Sequence, residues 1–412
     1  MRILFIAPHP FFAPRGTPIA VLAAARVLAG AGHRIDLLTY FQGEDVDIPN
    51  VRMLRIRRPP FVRSVPIGVS WQKLPCDAYL AVAAARLVRA NRYDLVHAVE
   101  EGAFIAWWIR NRAGIPYVFD MDSCMSEQVR NRGRVYAPAA SVFQWLERRT
   151  IRDAAGVVAV CRTLVDYARA HHPAGPVALL PDPPVTAITG TGSPAPAREA
   201  VARIASVQGV KILYVGNLES YQGVDLLLDA FERVAAENLD AQLIIAGGDA
   251  AGIARLARQA AAASLGGRVH LIGPTPLEAL DEVLSAADIL VSPRRSGTNT
   301  PMKIYSYMLS GRPILATAIP AHAQVLEESV AVLTEPTAVA MAEGLRRLLA
   351  DASLRRRISS AASVLATATY SHDAYRRRLL DFYSSLENGR EARIDSRPDT
   401  PTRGPAAVSP VA

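Results

Sequence analysis

Short apolar segments alternate with segments of helical periodicity along most of this chain, in two successive series. Strand-like segments occur at 2–7, 34–40, 52–56, 95–99, 117–121, 157–160 and 177–180, and then at 212–215, 242–246, 269–272, 289–291, 314–316 and 331–333. Helical patterns lie between most of them, for example at 18–30, 77–90, 224–236 and 338–350. Short apolar strands separated by helices indicate parallel sheets covered on both faces. We therefore predict an α/β fold with two doubly wound, Rossmann-like domains.

The boundary between the domains is indicated by a change in composition. Residues 183–208 are rich in Pro, Ala, Gly, Ser and Thr, which is typical of a linker. The predicted division is a first domain at 1–185, a linker at 186–208 and a second domain at 209–370.

Two further segments follow the second domain. At 371–388 an apolar stripe with helical spacing predicts a helix that packs across both domains; its members are Tyr375, Leu379, Phe382, Tyr383 and Leu386. Residues 389–412 lack apolar periodicity, which predicts a disordered tail.

The charge and the cysteine content limit the classes of protein to which this chain can belong. The 412 residues include 46 Lys and Arg against 38 Asp and Glu, for a net charge of +8. This excess favours anionic partners such as phosphate esters or anionic lipids, and the absence of a lysine-rich run or a nucleic-acid module predicts no nucleic-acid partner. Three widely spaced cysteines form no metal or disulfide pattern, and no apolar run suggests a membrane span or a signal peptide. We expect a cytoplasmic protein.

The segment 291–317, VSPRRSGTNTPMKIYSYMLSGRPILAT, is the most informative for function. A strand end, a polar turn, a short amphipathic helix and a second strand follow one another. A turn that enters a helix presents unpaired N–H groups and a positive dipole end, which suit an anion. Lys303 adds a full charge in the first helical turn. We predict a phosphate site formed by Thr298, Asn299, Thr300 and Lys303.

Two other loops follow strands at positions where an open α/β sheet binds ligands. The loop at 7–18 contains Gly16 and Thr17 but lacks GxGxxG spacing, so we expect no dinucleotide cofactor. Thr17 as a helix N-cap would explain this loop equally well. The loop at 215–223 carries Gly216, Asn217 and Gln222, and by itself is an ordinary βα junction.

Together these segments resemble the GT-B retaining glycosyltransferases of family 4. The resemblance rests on RGTP at 15–18, YDLVHAVEEG at 93–102, VGN at 215–217, GVD at 223–225 and the segment ending GRP at 311–313. It implies a GT-B architecture in which an acceptor domain and a nucleotide-sugar domain face a central cleft. The donor phosphate is then expected to bind at Gly16 and Thr17 and at the second-domain loops, including Gly216, Asn217 and Gln222. It also implies transfer of a sugar, with retention of configuration, from a UDP- or GDP-sugar to a hydroxyl of a glycan, glycolipid or small molecule. Neither metal nor cofactor is expected, and cell-envelope or polysaccharide synthesis is the implied setting.

The sequence departs from the family at its donor-binding positions. The family usually carries Arg and Lys where this chain has Asn217 and Gln222, and two glutamates where it has Thr298 and Ser306. Lys303 is expected to replace part of the missing positive charge. The departures leave two alternatives open: a catalytically weak binding protein or scaffold, and a sugar-nucleotide epimerase.

Three residues that follow first-domain strands are candidates for catalysis. Asp122 lies where the family often has a histidine that contacts the transferred sugar, and a carboxylate there could stabilise charge at the anomeric carbon. His97 and Glu100 could bind acceptor hydroxyls or act as a base. A capping role for Asp122 and a structural role for His97 are the simpler interpretations.

The segment 52–76 holds six basic residues and no acidic one, interleaved with apolar side chains. This composition suits peripheral contact with the anionic inner face of a cell membrane, or an acceptor that carries phosphate. An ordinary loop around a buried Trp71 is the alternative.

Overall fold

The computed structural model describes residues 1–13, 16–66, 70–130, 137–172, 175–185 and 195–395. The first domain is built on a seven-stranded parallel sheet in the order β3-β2-β1-β4-β5-β6-β7. Its strands are β1 (Arg2–Ala7), β2 (Arg34–Thr39), β3 (Val51–Arg55), β4 (Leu95–Val99), β5 (Tyr117–Met121), β6 (Gly156–Ala159) and β7 (Val177–Leu179). Its helices are α1 (Gly16–Gly30), α2 (Lys73–Ala90), α3 (Gly102–Ala113), α4 (Met125–Arg130), α5 (Ala137–Asp153) and α6 (Arg162–His171).

The second domain is built on a six-stranded parallel sheet in the order β10-β9-β8-β11-β12-β13. Its strands are β8 (Val210–Val215), β9 (Ala241–Ala246), β10 (Val269–Gly273), β11 (Ile289–Ser292), β12 (Ile314–Thr317) and β13 (Val332–Thr334). The remaining helices are α7 (Ala195–Ala205), α8 (Val224–Ala235), α9 (Ala250–Ala262), α10 (Leu280–Ser285), α11 (Lys303–Leu309), α12 (Pro320–Ala323), α13 (Ala338–Ala350), α14 (Ala352–Thr369) and α15 (His372–Asp395).

The central strands are buried on both faces, which is why they read as nearly continuous apolar runs. Residues 3–7 of β1 and 289–291 of β11 are fully buried. In each sheet the strand order reverses beside the first strand, between β1 and β4 and between β8 and β11. Such a reversal opens a crevice at the carboxyl ends of the strands, where ligands bind in this class of fold. The predicted pair of doubly wound α/β domains is confirmed.

The segment predicted as a linker contains helix α7. Ala197, Ala200 and Ile204 recur at helical spacing and are buried. The Arg203 guanidinium donates hydrogen bonds to the carbonyl oxygens of Ile272 and Leu271 at 2.9 and 3.1 Å. Residues 195–205 therefore pack against the second domain; composition suggested a linker because alanine dominates both flexible and helical segments. Residues 186–194 lie outside the described residues.

Helix α15 crosses from the second domain to the first. It contacts α14 and also α1, and the Phe382 ring lies so close to Gly156 that a Cβ there would meet it at 2.7 Å. The helix continues to Asp395, beyond the predicted end at 388, so the predicted tail begins inside a helix. The rest of that tail, 396–412, lies outside the described residues.

Candidate active-site cleft

A cleft of about 660 Å³ lies between the two domains. Its walls are formed by loops that follow the carboxyl ends of strands and by residues on the helices next to them. The first-domain wall includes Gly16, Thr17, Lys73, Asp77, Glu100 and Glu101, and the second-domain wall includes Gly216, Asn217, Tyr221, Gln222, Arg294 and Lys303. Six of the predicted donor-site residues therefore line one cavity: Gly16, Thr17, Gly216, Asn217, Gln222 and Lys303. Their roles remain predictions.

Lys303 is the first residue of α11, and its ammonium group points into the cleft. The Nζ atom lies 3.2 Å from Gln222 Oε1 and 4.1 Å from the centre of the Tyr214 ring. No carboxylate among the described residues forms an ion pair with it. Burial, with a contribution from the Arg294 charge, lowers the pKa of Lys303 to about 7. A buried cation held by neutral partners is available to an anionic ligand.

Arg294 is a second cleft cation, which the sequence analysis did not single out. It follows β11 closely, and its guanidinium stacks over the Tyr221 ring at 5.1 Å. Its Nη1 donates to the Asn299 carbonyl oxygen at 3.0 Å, whereas its buried Nε has no partner in the described part of the chain. Arg294 and Lys303 thus place two positively charged side chains in the cleft, whereas positions 217 and 222 carry none. The position of Arg294, two residues after the end of β11, could have indicated from the sequence that it faces the cleft.

Glycines let the loop at 215–223 approach these cations closely. Gly216 has φ 147°, and a Cβ there would lie 2.8 Å from Lys303 Nζ. Gly223 has φ 69°, and a Cβ there would lie 2.1 Å from the Pro293 carbonyl oxygen. Side chains are disfavoured in this backbone region and no space exists for them. Glycine at positions 216 and 223 therefore suits the close approach of this loop, in which Gln222 contacts Lys303, to the residues around Pro293.

The protonation of Lys303 predicts a pH dependence for anion binding. A bound diphosphate raises the pKa of Lys303 above its free value of about 7, so binding takes up a proton at about pH 8 and affinity declines as the pH rises above about 7. Isothermal titration of a nucleotide sugar in buffers of different ionisation enthalpy measures this proton uptake. Lys303→Arg stays charged throughout and should lose the dependence. An unchanged pH profile in that variant would contradict the assignment.

The turn Thr298–Thr300, which is predicted to bind the donor, lies outside the lining of this cleft. Thr298 is exposed, and its carbonyl oxygen accepts a hydrogen bond from the Gln324 amide. Asn299 donates instead to the Asp122 carbonyl oxygen across the domain boundary. Thr300 is buried. Of the three residues, Asn299 makes the contact between the domains, and Thr298 bonds within the second domain.

Ser306, at the second position where the family has a glutamate, is also at the domain boundary. Its hydroxyl accepts a hydrogen bond from the Val185 N–H at 3.2 Å, and the side chain is buried. Neither of the two positions therefore presents a polar group to the cleft.

Acidic groups dominate the first-domain wall. Lys73 forms an ion pair with Glu101 at 2.5 Å, and Ser123 donates to Glu100 at 2.9 Å. Burial together with the Glu101 charge raises the pKa of Glu100, and that of Asp77 to about 7. Carboxyl groups there are placed to accept hydrogen bonds from hydroxyl groups of a ligand, opposite the cations of the second domain.

Of the other two catalytic candidates, Asp122 lies near the cleft and His97 does not. Asp122 forms a side-chain hydrogen bond with Thr17, and burial followed by the Asp120 charge raises its pKa well above the usual range. His97 is fully buried; Nδ1 lies 2.7 Å from the Tyr383 hydroxyl and Nε2 lies 3.1 Å from Asp120 Oδ2. Both ring nitrogens are occupied inside the protein, which agrees with the simpler structural interpretation of His97.

The arginines of segment 52–76 are largely used in internal contacts. Arg52 pairs with Asp36, Arg55 pairs with Asp45, and Arg58 donates to the Val62 carbonyl oxygen. Trp71 is 62% exposed, so the alternative of a loop around a buried tryptophan is wrong. Residues 67–69 lie outside the described ranges.

Across the residues that the structure describes, no helix has the length and apolar character to cross a membrane. Within the same ranges, no group of three His, Cys, Asp or Glu side chains is arranged to hold a metal ion. The described cleft residues include two cations, Arg294 and Lys303, and a set of carboxyl groups on the opposite wall.

Two Rossmann-like α/β domains that face a cleft form the architecture of the GT-B class of glycosyltransferases. The sequence matches the family described as "Glycosyl transferases group 1" over residues 209–351 and that described as "Glycosyl transferase 4-like domain" over residues 15–183. The chain belongs to this family of group 1, family 4 glycosyltransferases.

Characterised relatives extend over most of the chain. Alpha-D-kanosaminyltransferase of Streptomyces kanamyceticus is 26% identical over 71% of this chain and 77% of its own length. Phosphatidyl-myo-inositol mannosyltransferase of Mycobacterium leprae is 24% identical over 88% of this chain and 91% of its own length.

Solved structures show the same fold. Sucrose-phosphate synthase from Thermosynechococcus elongatus has a TM-score of 0.75 at 21% identity and covers 94% of this chain and 99% of its own. Anabaena HepE in complex with UDP-glucose has a TM-score of 0.69 at 16% identity and covers 93% of this chain and 100% of its own.

Proposed function

We propose that this glycosyltransferase moves a sugar from a UDP- or GDP-sugar to an acceptor hydroxyl with retention of configuration, and that it needs no metal or other cofactor. The observation that carries the proposal is the pair of cleft cations, Arg294 and Lys303, neither of which has a carboxylate partner among the described residues. A diphosphate is a ligand of matching charge and of a size that two adjacent cations can contact.

In this mechanism the protein contributes positioning and charge stabilisation. The bond between the anomeric carbon and the diphosphate oxygen breaks while the acceptor oxygen bonds to the same face of the sugar. The acceptor proton passes to the departing phosphate oxygen, so no protein base is consumed. Arg294 and Lys303 stabilise the charge that grows on the diphosphate, and Glu100 and Asp122 form hydrogen bonds that orient hydroxyl groups of the sugar and the acceptor.

The names of the similar proteins agree with this proposal. HepE was solved with UDP and with UDP-glucose, and two relatives are named as transferases of kanosamine and mannose. The acceptor is a glycan, a lipid-linked glycan or a small molecule bound on the acidic first-domain wall. We also propose that the protein is cytoplasmic and that segment 52–76 makes peripheral contact with the inner face of the cell membrane.

The test is a panel of UDP- and GDP-sugars examined by titration calorimetry and by slow donor hydrolysis. We expect one donor class to bind and to release sugar of the donor's own anomeric configuration, observed by NMR. Release of the opposite anomer would contradict retention, and failure of every donor to bind would contradict the proposal.

The same panel decides the alternative of a catalytically weak binding protein or scaffold. That alternative is favoured by the residue types at positions 298 and 306, where Thr298 and Ser306 replace the family's glutamates and leave the ribose without an acidic partner. Binding without hydrolysis or transfer to any acceptor would support it. Change of the donor sugar without its release would identify an epimerase.

A further inference from the structure

The first-domain wall of the cleft carries an excess of negative charge. Three carboxyl groups line it, those of Asp77, Glu100 and Glu101, and Lys73 is the one lysine or arginine of that domain among the described lining residues. Three negative charges against one positive charge leave this wall with a net charge of −2 when all four groups are ionised. The opposite wall carries the two cations of the second domain. The cleft is therefore divided by charge, which bears on the acceptor as well as on the donor.

Lys73 is already paired with one of these carboxylates. It is the first residue of α2, and its Nζ atom lies 2.5 Å from Glu101 Oε1; the two side chains are 17% and 10% exposed. Oppositely charged groups so close together and so little exposed to water attract each other strongly. A phosphate group would compete with Glu101 for Lys73 while it faced the other carboxyl groups. The charge of this wall therefore disfavours an acceptor that carries phosphate.

Asp77 and Glu100 have hydroxyl partners and no cationic one. Tyr40 donates a hydrogen bond to Asp77 Oδ1, and Ser123 donates one to Glu100 Oε1 at 2.9 Å. None of the ion pairs in the described part of the chain includes either carboxyl group. A carboxylate can accept several hydrogen bonds, so each group is able to bind a further donor from a ligand. Burial and the nearby Glu101 charge raise the pKa of both, and a cation beside them would relieve this cost.

Aromatic rings lie on the same side of the cleft as these carboxyl groups. Phe104, in α3, and Phe143, in α5, line the cleft with their ring centres 6.3 Å apart. The Phe104 N–H donates to the Glu101 carbonyl oxygen at 3.1 Å, so the ring and this acidic residue are one turn apart at the start of α3. The negative face of an aromatic ring attracts an ammonium group, and its apolar surface suits the C–H face of a sugar ring. The aromatic rings are an observation separate from the carboxyl groups, and they favour the same ligand.

We propose that the acceptor is a hydroxylated amine, either an amino sugar or an aminocyclitol, whose protonated amino group is held by Asp77 and Glu100 beside Phe104. An ammonium group has three N–H donors and no acceptor, which suits carboxyl groups that lack a cationic partner. The amine positions the molecule, and one of its hydroxyl groups receives the sugar. The role of this amine as an acceptor rests on the proposed function, whereas its binding to the first-domain wall does not.

The experiment measures how the full chain, without donor, binds sugars that differ in charge, by titration calorimetry and saturation-transfer NMR. One set is 6-amino-6-deoxyglucose, glucose and glucose 6-phosphate, which are cationic, neutral and anionic at one position. The other set is glucosamine and N-acetylglucosamine with their two- and three-ring oligomers. We expect each amine to bind about tenfold more tightly than its neutral counterpart, because a charge-assisted hydrogen bond is lost in the neutral sugar.

Variants identify the groups responsible. Asp77→Asn/Glu100→Gln should weaken binding of the amines about tenfold, to the level of the neutral sugars, because amides keep the size of the carboxyl groups and carry no charge. The two single substitutions should each give part of this loss, and circular dichroism checks that all three variants fold. Glu127→Gln is the matched control: Glu127 is exposed on α4 and does not line the cleft, so this variant should bind as wild type.

Two results would overturn the proposal directly: amines that bind no more tightly than their neutral counterparts, or a preference for amines that persists in Asp77→Asn/Glu100→Gln. Binding of glucose 6-phosphate that is weakened by Lys73→Gln would assign the wall to phosphorylated acceptors instead. Donor binding and sugar transfer, measured on the same proteins, test the proposed function separately. Transfer to neutral sugars alone would support that function and contradict this inference, and amine binding without any transfer would do the reverse.

Discussion

Lys303→Met is expected to weaken nucleotide-sugar binding about 100-fold, as removal of a buried charge-assisted contact to phosphate should. The same substitution should stabilise the unliganded protein. At pH 8 the buried Lys303, with a pKa of about 7, is mostly neutral in the folded chain but charged in the unfolded one, and this difference favours unfolding. Methionine has similar length and no charge, so a gain of about 1–3 kcal/mol in unfolding free energy is expected. Calorimetric titration and denaturant unfolding measure the two effects.

Adjacent arginines provide the control for this experiment. Arg294 faces the cleft, whereas Arg295 is exposed and pairs with Asp225 at 2.7 Å. Arg294→Gln should weaken donor binding, and Arg295→Gln should leave it within about twofold, as expected for a screened surface charge. Equal losses in both arginine variants would show that general positive charge, rather than the cleft pair, attracts the donor. A Lys303→Met protein that binds donors normally would remove the basis for the proposed donor site.

Tyr383→Ala should lower the unfolding free energy by about 3–5 kcal/mol, the usual cost of deleting a large buried aromatic side chain. Tyr383 is almost fully buried on α15, bonds to His97 at 2.7 Å and lies 5.9 Å from the His33 ring. Its loss also leaves the His97 Nδ1 without a partner. Denaturant unfolding at constant pH gives the value directly.

Two milder variants separate stability from catalysis at this position. Tyr383→Phe keeps the ring and removes only the hydroxyl, so a loss of about 1–3 kcal/mol is expected. His97→Gln should also destabilise the protein while the folded fraction keeps its kcat, since His97 does not reach the cleft. A large fall in kcat at unchanged stability would restore His97 as a catalytic candidate.

The fold was predictable from the sequence because each strand is a buried apolar run with a helix on either side, and β1 and β8 in particular match the predicted segments closely. Helix α7, inside the segment predicted as a linker, was not predicted. Composition does not distinguish a flexible alanine-rich segment from α7, whose Ala197 and Ile204 become informative only when the surface they pack against is known.

The positions of candidate site residues were predictable where a single domain determines the geometry, and they were unpredictable where both domains do. Lys303, Gln222 and Gly216 come together through adjacent strand ends of a single sheet. The position of Asn299 depends on a carbonyl group of Asp122 in the other domain, and that of His97 depends on Tyr383, far along the chain. A local sequence pattern does not indicate a partner that lies in the other domain or far along the chain.

The return of α15 to the first domain has a consequence for synthesis of the protein. The surface around His97 and Gly156 receives Phe382 and Tyr383, which emerge from the ribosome only after both sheets have been made. Until then, the first domain carries an uncovered apolar groove and a polar histidine without its hydroxyl partner. The nascent chain should therefore be most vulnerable to proteases and to chaperone capture just before α15 is released, and truncation ahead of 372 should trap it in that condition.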